Sequence, residues 1–279
     1  MPEIANLDQA AAWDGPQGDL WVEREDALNA SLVPHAEALL AVADVGRADH
    51  VLDVGCGTGA VSRACARRAP DGDVLGVDLS NAMLGRARER AMADGVPNVT
   101  FERGDAQVHA FGEARFDLVV SRFGVMFFDD PIAAFANLRR ATAPGGRFAA
   151  VVWQGVERNE WIALPRAALA LGGEVPPIAP DVPGPMGLAD ADRTRTLLTA
   201  AGWSDVQLDD VAVPYVFGPD VESAVAHARN VGMVRALLEG LDDERAEQAI
   251  DALRTVMAEH MTTDGVRLDS RAWIVRALR

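Results

Sequence analysis

Residues 50–59 read HVLDVGCGTG, in which a short apolar run leads directly into glycines at every second position. The run predicts a buried strand, and the alanine-rich stretch that follows to about residue 69 predicts a helix. Glycines between a strand and a helix let the backbone turn tightly and let a ligand approach where a Cβ would clash. This segment therefore predicts the first unit of an α/β sheet, with a ligand site at the end of the strand.

The same alternation of strand and helix continues to residue 153. Further strands are predicted over 74–78, 98–103, 116–121 and 148–153, and helices over about 26–44, 81–94 and 130–143. Ser80 and Asp130 are residue types that cap helix N-termini, and Pro131 suits the first helical position. Strands that alternate with helices of this length predict a parallel sheet that is covered on both faces.

A less regular region follows residue 153. Its proline-rich part, residues 174–188, predicts an irregular loop or lid. Regular elements return afterwards, as a helix over about 189–201, a strand over 205–217, helical stretches over 219–239 and 241–261, and a strand-like run over 266–278. The chain therefore consists of a regular first part and a more varied second part.

The overall composition narrows the classes of protein that the chain can represent. The chain has 279 residues, of which 49% are hydrophobic and 24% are charged, as is typical of a soluble globular protein. Its formal net charge of −16 disfavours binding to nucleic acids and to anionic membrane surfaces. Neither a signal-like segment nor an apolar run of membrane-spanning length is evident, so we expect a cytoplasmic protein. Cys56 and Cys65 predict neither a disulfide framework nor a zinc site.

Polar residues recur at the ends of the predicted strands. Asp78 ends the second strand, Asp105 follows the third and Ser121 ends the fourth. Ligands of open α/β sheets bind at the carboxyl ends of the strands, and Asp78 is placed to accept both hydroxyls of a ribose. Asp105 and the Ala106 amide can read an adenine edge, and Met83 can pack on the adenine face. Together these residues predict an adenosine site.

Asp53 distinguishes between adenosine cofactors. Residues 55–60 fit the loose dinucleotide pattern G-x-G-x-x-A. However, the carboxylate of Asp53 stands just before the first glycine, where it would repel a pyrophosphate. It suits a cationic group instead, such as the ammonium or sulfonium of a methionine derivative. The residues therefore favour a nucleoside with a cationic tail over a dinucleotide.

Several motifs, in order along the chain, carry a family resemblance: VLDVGCGTG at 51–59, GVDLS at 76–80, GDA at 104–106, FDLVVS at 116–121 and PGG at 144–146. With them, residues 50–153 resemble the class I S-adenosylmethionine-dependent methyltransferases, most closely the bacterial ubiquinone/menaquinone-biosynthesis-type branch and its small-molecule relatives. The resemblance implies a Rossmann-like, seven-stranded, mostly parallel sheet of order 3-2-1-4-5-7-6 with strand 7 antiparallel. It also implies helices on both faces, N-terminal helices and a helical cap insertion.

The same resemblance implies a division of the chain and a set of binding residues. Residues 1–49 would form an N-terminal helical segment that covers the cofactor, and residues 50–279 the methyltransferase core, with cap segments at about 154–188 and 219–263. The implied cofactor-binding residues are Trp13, Trp21, Asp53, Gly55, Gly57, Asp78, Leu79, Met83, Asp105, Ala106 and Ser121. Among them, the Ser121 carbonyl would contact the methionine amino group, and Trp13 and Trp21 would fold over the cofactor.

The implied activity is S-adenosylmethionine-dependent methyl transfer, with S-adenosylhomocysteine as product. We expect the acceptor to be a small organic molecule of bacterial secondary metabolism, methylated at O, N or C by in-line SN2 displacement. Such a reaction depends mainly on positioning and on the exclusion of water. We expect no metal, no nucleic-acid partner and no membrane partner. For the oligomeric state, the sequence leaves a homodimer open.

No residue pattern identifies a catalytic base. His109 is the one candidate near the predicted site, and a surface-loop histidine is the favoured interpretation. His227 is predicted to lie on a helix surface, and Tyr215 is predicted to be a packing residue. Asp129 and Asp130 suggest a magnesium site, but a helix cap explains Asp130 without a metal.

Two other functions stay open. A non-methylating cyclase, a pericyclase-type catalyst or a binding protein on the same cofactor-binding scaffold would explain the missing base and the large cap. A nicotinamide-dependent dehydrogenase would fit the glycine pattern, although Asp53 disfavours it. Release of S-adenosylhomocysteine separates a methyltransferase from the first alternative, and binding of a nicotinamide cofactor would support the second.

Overall fold

A mixed β-sheet forms the centre of the structure, which is a computed structural model that describes residues 3–180 and 182–279. Met1, Pro2 and Asp181, which belong to the predicted N-terminal and cap segments, lie outside these ranges. The strands are β1 (His50–Val54), β2 (Asp73–Asp78), β3 (Val99–Arg103), β4 (Phe116–Arg122), β5 (Thr142–Trp153), β6 (Ser204–Gly218), β7 (Met261–Thr262) and β8 (Gly265–Leu278).

The order of the strands in the sheet agrees with the prediction. In space the strands follow the order β3-β2-β1-β4-β5-β8-β6, and the short β7 pairs with β8. The pairs formed among β1 to β5 are parallel, whereas β8 is antiparallel to both β5 and β6. β8 therefore takes the place of the predicted strand 7, and the predicted sheet order is confirmed. The short β7 is an addition to that prediction.

Helices precede the strands and lie between them along the chain. They are α1 (Leu7–Trp13), α2 (Pro16–Glu23), α3 (Glu25–Ser31), α4 (Val33–Ala43), α5 (Ala60–Arg68), α6 (Asn81–Ala93), α7 (Pro131–Ala141), α8 (Glu160–Leu169), α9 (Ala191–Ala200), α10 (Val221–Ala228), α11 (Gly232–Leu238) and α12 (Asp243–Glu259). Ser80 and Asp130 cap α6 and α7 as predicted, because their side chains accept the backbone N–H groups of Met83 and Ala133. Within the described ranges, no helix has both the length and the apolar character needed to cross a membrane.

The parallel register brings the ends of the central strands to one edge of the sheet. Asp53 of β1 lies level with Gly76 of β2 and with Val120 of β4. The loops that follow β1, β2, β3 and β4 consequently meet at this edge, where the sequence predicts the ligand.

An aromatic cluster fills the core beside β5. Phe148 is 1% exposed, and its ring lies 5.8 Å from that of Phe135 on α7 and 5.4 Å from that of Trp203. The indole Nε1 of Trp203 donates to the backbone carbonyl of Phe135. The cluster therefore joins β5 to α7 and to the start of β6.

Two helical features differ from the sequence prediction. α8 occupies part of the region that lacks a regular pattern, and its interior Pro165 is a helix-breaking signal. The buried face of α8, which packs against α11 and α12, compensates for this proline. The single helix predicted over about 26–44 is divided at Leu32 into α3 and α4, because Pro34 occupies the first turn of α4.

Replacing Phe148 with alanine would remove the centre of the aromatic cluster. Because a buried Phe→Ala substitution leaves a cavity, we expect the free energy of unfolding to fall by about 3–5 kcal/mol. Urea denaturation followed by circular dichroism measures the loss, with Met92→Ala as the control because Met92 is 82% exposed. A loss in Phe148→Ala below about 1 kcal/mol would contradict the packing described for β5.

Candidate functional site

The loop after β1 forms a tight turn through three residues with positive φ. Gly55, Gly57 and Gly59 have φ angles of 67°, 55° and 74°, a region that favours glycine. A Cβ on Gly55 would lie 2.7 Å from the Cα of Gly124, so close packing also requires glycine there. A Cβ on Gly57 would approach only the sulfur of Met83, at 3.8 Å. The loop is therefore closed towards β4 and open above Gly57.

Asp78 connects this loop to the end of β2. Its Oδ2 accepts the backbone N–H of Gly57 at 2.8 Å, and its Oδ1 accepts that of Ser80 at 2.9 Å. Burial raises the pKa of Asp78 above its ordinary value, although these N–H groups act in the opposite direction. Since a carboxylate offers about four lone-pair sites, Asp78 retains the capacity to accept hydroxyl groups of a ligand.

Asp105 connects the loop after β3 to the N-terminal residues. Its Oδ2 accepts the backbone N–H groups of Ala5 and Asn6, at 3.0 and 2.8 Å. Its Oδ1 accepts the N–H of Gln107 at 3.0 Å. The carboxylate therefore already accepts several backbone donors, and it retains a lone-pair site for a ligand amine. The sequence carries no signal for the contact with the N-terminal residues.

Asp53 lies at the base of the glycine loop and is 1% exposed. Its Oδ2 accepts the hydroxyl of Ser62 on α5 at 2.6 Å. Burial raises the pKa of Asp53 to about 6, while the Ser62 hydroxyl and the Arg122 guanidinium lower it. Ionising a buried carboxylate is unfavourable, and a cationic group of a ligand would offset that cost.

One cavity of about 620 Å³ joins these groups, a size typical of small-molecule sites. Its lining includes most of the predicted binding residues: Trp13, Trp21, Asp53, Gly55, Gly57, Asp78, Leu79, Met83, Asp105 and Ala106. The carboxylates of Asp78 and Asp105 and the open space above Gly57 fit an adenosine, and Asp53 fits a cationic tail. The structure thus brings together residues that are far apart in the sequence.

Ser121 and His109 lie outside the lining of this cavity. The Ser121 hydroxyl donates to the carbonyl of Val54, so this side chain joins β4 to β1. The Nε2 of His109 lies 3.4 Å from the Glu102 carboxylate, and its ring packs against Phe111. The position of His109 outside the cavity lining does not support a catalytic role.

Beyond β4, the cavity is lined by aromatic residues of β5, α8 and β6. The rings of Trp161 and Tyr215 stack with centroids 4.5 Å apart and an interplanar angle of 8°. The ring of Trp153 lies 4.7 Å from that of Trp161. These rings give this half of the cavity an aromatic, largely apolar wall.

The prediction that His227 lies on a helix surface is wrong. His227 is 7% exposed, and its Nε2 lies 3.0 Å from the Tyr215 hydroxyl and 3.1 Å from the Ser31 hydroxyl. Burial lowers the pKa of His227 to about 4 and raises that of Tyr215, so both side chains are neutral at pH 7. Tyr215 therefore does more than pack, because its hydroxyl belongs to a neutral hydrogen-bond network beside the cavity.

Arg122, at the end of β4, also lines the cavity. Its Nη2 donates to the side-chain carbonyl of Asn29 at 2.8 Å. Burial lowers the pKa of Arg122 to about 10, so the guanidinium is charged at pH 7. The sequence places Arg122 at a strand end but gives no indication that its side chain enters the site.

The predicted helix cap explains the acidic pair before α7. Asp130 accepts the N–H of Ala133 at 2.9 Å, and Asp129 is exposed beside it. Across residues 3–180 and 182–279, no group of three or more His, Cys, Asp and Glu side chains is arranged to hold a metal ion. The helix cap thus accounts for Asp130, as the sequence predicts.

Comparison with known sequences adds an independent finding. A family model described as a methyltransferase domain matches residues 51–146, which include the glycine loop, Asp78 and Asp105. An uncharacterised protein of Mycobacterium tuberculosis is 29% identical over 249 residues, covering 84% of this chain and 87% of the relative. Trans-aconitate 2-methyltransferase of Variovorax paradoxus is 33% identical over 167 residues, covering 60% of this chain and 58% of that enzyme.

Solved structures share the fold. Phosphoethanolamine N-methyltransferase 2 of Haemonchus contortus, in complex with S-adenosyl-L-methionine, aligns with a TM-score of 0.59 at 15% identity, covering 99% of this chain and 60% of that protein. The [4+2]-cyclase SpnF aligns with a TM-score of 0.55 at 16% identity, covering 93% of this chain and 94% of the cyclase. At sequence identities of 15% and 16%, these alignments show that the fold is shared, and nothing more.

The substitution Asp53→Asn tests the cost of burying a carboxylate at the site. The pKa of Asp53 is about 6 in the folded protein and about 3.9 in an unfolded chain, so its ionisation destabilises the folded state above pH 6 by about 3 kcal/mol. The ligand-free variant should therefore unfold at a higher temperature than the wild type at pH 7. The difference should shrink as the pH falls from 6 towards 4, where the wild-type carboxyl is protonated in the folded protein.

Thermal unfolding across this pH range provides the measurement. Asp129→Asn is the matched control, since that carboxylate is exposed and its removal should change stability little at any pH. If Asp53→Asn is less stable than the wild type at pH 7, the electrostatic description of this residue is wrong.

Proposed function

The chain belongs to the class I S-adenosylmethionine-dependent methyltransferases, and we propose that it methylates a small organic acceptor bound in the aromatic half of its cavity. The sheet order, the glycine loop and the matched methyltransferase domain are the basis of the family assignment. The quinone-biosynthesis branch stays a prediction, because the similar proteins include a methyltransferase named for trans-aconitate.

We infer that the adenosine lies along the edge of the sheet. Asp105 and the Ala106 amide would read the adenine at the end of β3, and Leu79 and Met83 would flank its ring. Asp78 would accept the ribose hydroxyls, since its carboxylate is already oriented by two backbone N–H groups. All of these residues line the same cavity.

The methionine portion would lie above the glycine loop, beside β1 and β4. Gly57 leaves open space on this side, and Gly55 brings the loop close to Gly124. The Asp53 carboxylate would face the cationic amino group, and the Ser121 carbonyl is the other group proposed to contact it. This placement directs the reactive end of the cofactor towards the aromatic half of the cavity.

The N-terminal segment, residues 1–49, would cover the bound cofactor. Trp13 and Trp21 line the cavity with ring centroids 6.4 Å apart. The N–H groups of Ala5 and Asn6 hold the start of this segment on Asp105. Exchange of the cofactor would therefore require these two hydrogen bonds to open.

One continuous cavity extends from Asp78 to the aromatic wall, and this observation is the basis of the acceptor proposal. Trp153 and Trp161 offer flat apolar contact, and Tyr215 offers a neutral hydroxyl. The segments 154–188 and 219–263 would act as a cap, since Trp161, residues 183–185 and residues of α11 contribute to the lining. A flat small molecule with a polar group matches this half of the cavity.

When bound, the cofactor supplies a methyl group on a sulfonium, which is transferred by in-line displacement. The residues of this chain would hold the cofactor, align the acceptor with it and exclude water beneath the cap. Positioning of this kind can account for roughly 7–11 kcal/mol of a barrier. The neutral Tyr215 and His227 pair can orient an acceptor by a hydrogen bond without gaining charge, which suits an acceptor that needs no general base.

A cyclase-type or other non-methylating role on the same scaffold is the second candidate. The shared fold with the [4+2]-cyclase, over 93% of this chain, favours retaining it, as does the neutrality at pH 7 of Tyr215 and His227 beside the aromatic wall. A cyclase would keep its cofactor unchanged, whereas a methyltransferase releases S-adenosylhomocysteine. Detection of that product separates the two roles.

The substitution Asp78→Ala tests the cofactor site. Loss of hydrogen bonds to a charged group, worth about 1.5–3 kcal/mol each, should weaken S-adenosylhomocysteine binding by at least about 100-fold. Isothermal titration calorimetry measures the change, with Asp129→Ala as the control. Asp78→Asn, which keeps the size of the side chain and one acceptor oxygen, should also weaken binding, and circular dichroism with thermal unfolding shows whether each variant is folded. Wild-type affinity in both variants would exclude this assignment of the ribose site.

The small-molecule acceptor is tested with methyl-labelled S-adenosylmethionine. The wild-type protein, incubated with the low-mass fraction of a bacterial extract, should transfer label to a compound in that fraction and release S-adenosylhomocysteine. Asp78→Ala should lose this transfer. Label that appears only in protein or nucleic acid, when these are supplied, would contradict the proposal.

A further inference from the structure

Three buried polar side chains from separate parts of the chain meet beside the aromatic half of the cavity. They are Ser31 on α3, Tyr215 on β6 and His227 on α10. The imidazole Nε2 of His227 lies 3.1 Å from the Ser31 hydroxyl and 3.0 Å from the Tyr215 hydroxyl. Because a buried polar group is costly without a hydrogen-bond partner, each proton of this cluster needs an acceptor.

A hydrogen bond of Ser31 fixes the tautomer of His227. The Ser31 hydroxyl has one proton, which it donates to the backbone carbonyl of Ala27 at 2.8 Å. The Ser31 oxygen can then only accept from His227, so the imidazole proton is on Nε2. Burial lowers the pKa of His227 to about 4, so the ring carries this single proton at pH 7 and Nδ1 carries none.

With this tautomer, His227 cannot accept the phenol proton of Tyr215. The Nε2–H group is shared between the Ser31 and Tyr215 oxygens, and Nε2 has no lone pair left. Without a ligand, the phenol can donate to the Ser31 oxygen, since a hydrogen bond with Ser31 also affects the pKa of Tyr215. A hydroxyl group rotates about its C–O bond, so the same proton can be directed to a ligand instead. Tyr215 therefore accepts from the imidazole and keeps its own proton for donation.

Residues next to both partners of the phenol also line the cavity. Leu28 belongs to the lining and precedes Ser31 by three residues, so the two lie on the same side of α3. Val231 belongs to the lining as well and follows His227 by four residues. Ser31 and His227 lie outside the lining, whereas Tyr215 is part of it. A ligand can therefore contact Tyr215, and the other two side chains act from behind it.

We propose that Tyr215 positions the methyl acceptor by donating a hydrogen bond, and that this acceptor carries an uncharged oxygen or ring nitrogen whose lone pair receives it. A donor withdraws electron density from the atom that it contacts, so the bonded atom is an anchor and a different atom is methylated. His227 and Ser31 are positioning residues, because they act through the phenol. This inference rests on the proposed function, since it assumes that the acceptor lies against Trp153 and Trp161.

The first measurement concerns the full chain without a ligand. In protein labelled with ¹³C and ¹⁵N at histidine, NMR reports which ring nitrogen carries the proton, and the His227 signal is identified by its loss in His227→Gln. We expect the proton on Nε2 at pH 7. A proton on Nδ1 would overturn the proposal, because Nε2 would then accept the phenol proton of Tyr215.

The second measurement uses two probes of matched shape, acetophenone and α-methylstyrene, which differ by a carbonyl oxygen in place of a methylene group. Binding to protein saturated with S-adenosylhomocysteine is followed by NMR of the probes. In Tyr215→Phe, we expect acetophenone to bind about 3- to 10-fold more weakly than to the wild type, because one hydrogen bond is lost. The affinity of α-methylstyrene, which has no lone pair to accept the bond, should stay the same.

A spectroscopic readout separates hydrogen bonding from packing. Tyr215 is the only tyrosine of the chain, so protein labelled with ¹³C at the tyrosine Cζ gives a single signal from the carbon that bears the hydroxyl. Acetophenone should shift this signal more than α-methylstyrene does. His227→Phe, which removes the donor to the phenol, should weaken acetophenone binding, whereas His227→Gln keeps an N–H group and should retain most of it. His50→Gln is the control, since His50 is exposed and outside the cavity lining.

The results distinguish failure of this inference from failure of the proposed function. Unchanged affinity for both probes in Tyr215→Phe, or an equal loss for both, would overturn the role of Tyr215 and leave the acceptor site in place. If neither probe binds to the wild-type protein that holds S-adenosylhomocysteine, the proposed acceptor site fails, and the inference fails with it. Circular dichroism and thermal unfolding confirm that each variant is folded.

Discussion

The carboxylate of Asp78 holds the site together by accepting the N–H groups of Gly57 and Ser80. Through these two hydrogen bonds, one buried side chain joins the loop after β1 to the N-terminal cap of α6. These hydrogen bonds support the loop in which Gly55, Gly57 and Gly59 have positive φ angles, and the same carboxylate is the group proposed to bind the ribose. Asp78 is therefore proposed to contribute both to the shape of the loop and to ligand binding at this edge of the sheet.

Two charged side chains beside the loop also link the stability of the protein to ligand binding. Asp53 is buried and Arg122 is half-buried, and the two do not pair with each other, an arrangement that lowers the stability of the ligand-free protein. Both groups line the cavity, so a ligand of complementary charge would recover the lost stability on binding. The unfavourable burial therefore lies where a ligand can offset it, which is characteristic of a binding site rather than of a structural core.

The sequence predicts features that depend on neighbouring residues, and it misses contacts between distant ones. The glycine turn, the end of β2 at Asp78 and the cap at Ser80 were all predictable, because strand ends and helix caps have local signals. The contact of His227 with Tyr215 was not predictable from the sequence, since a helix of the insertion brings the imidazole to β6. The contact of Asp105 with the N–H groups of Ala5 and Asn6 also lacks a sequence signal, because every residue except proline carries the same backbone donor.

A crystal structure of the protein with S-adenosylhomocysteine tests the central claim most directly. We expect the ribose hydroxyls within hydrogen-bonding distance of the Asp78 carboxylate, the adenine beside Asp105 and the amino-acid tail between β1 and β4. The space beyond the sulfur should open towards Trp153 and Trp161. A nucleoside bound elsewhere, or bound in the cavity with its ribose away from Asp78, would contradict the account.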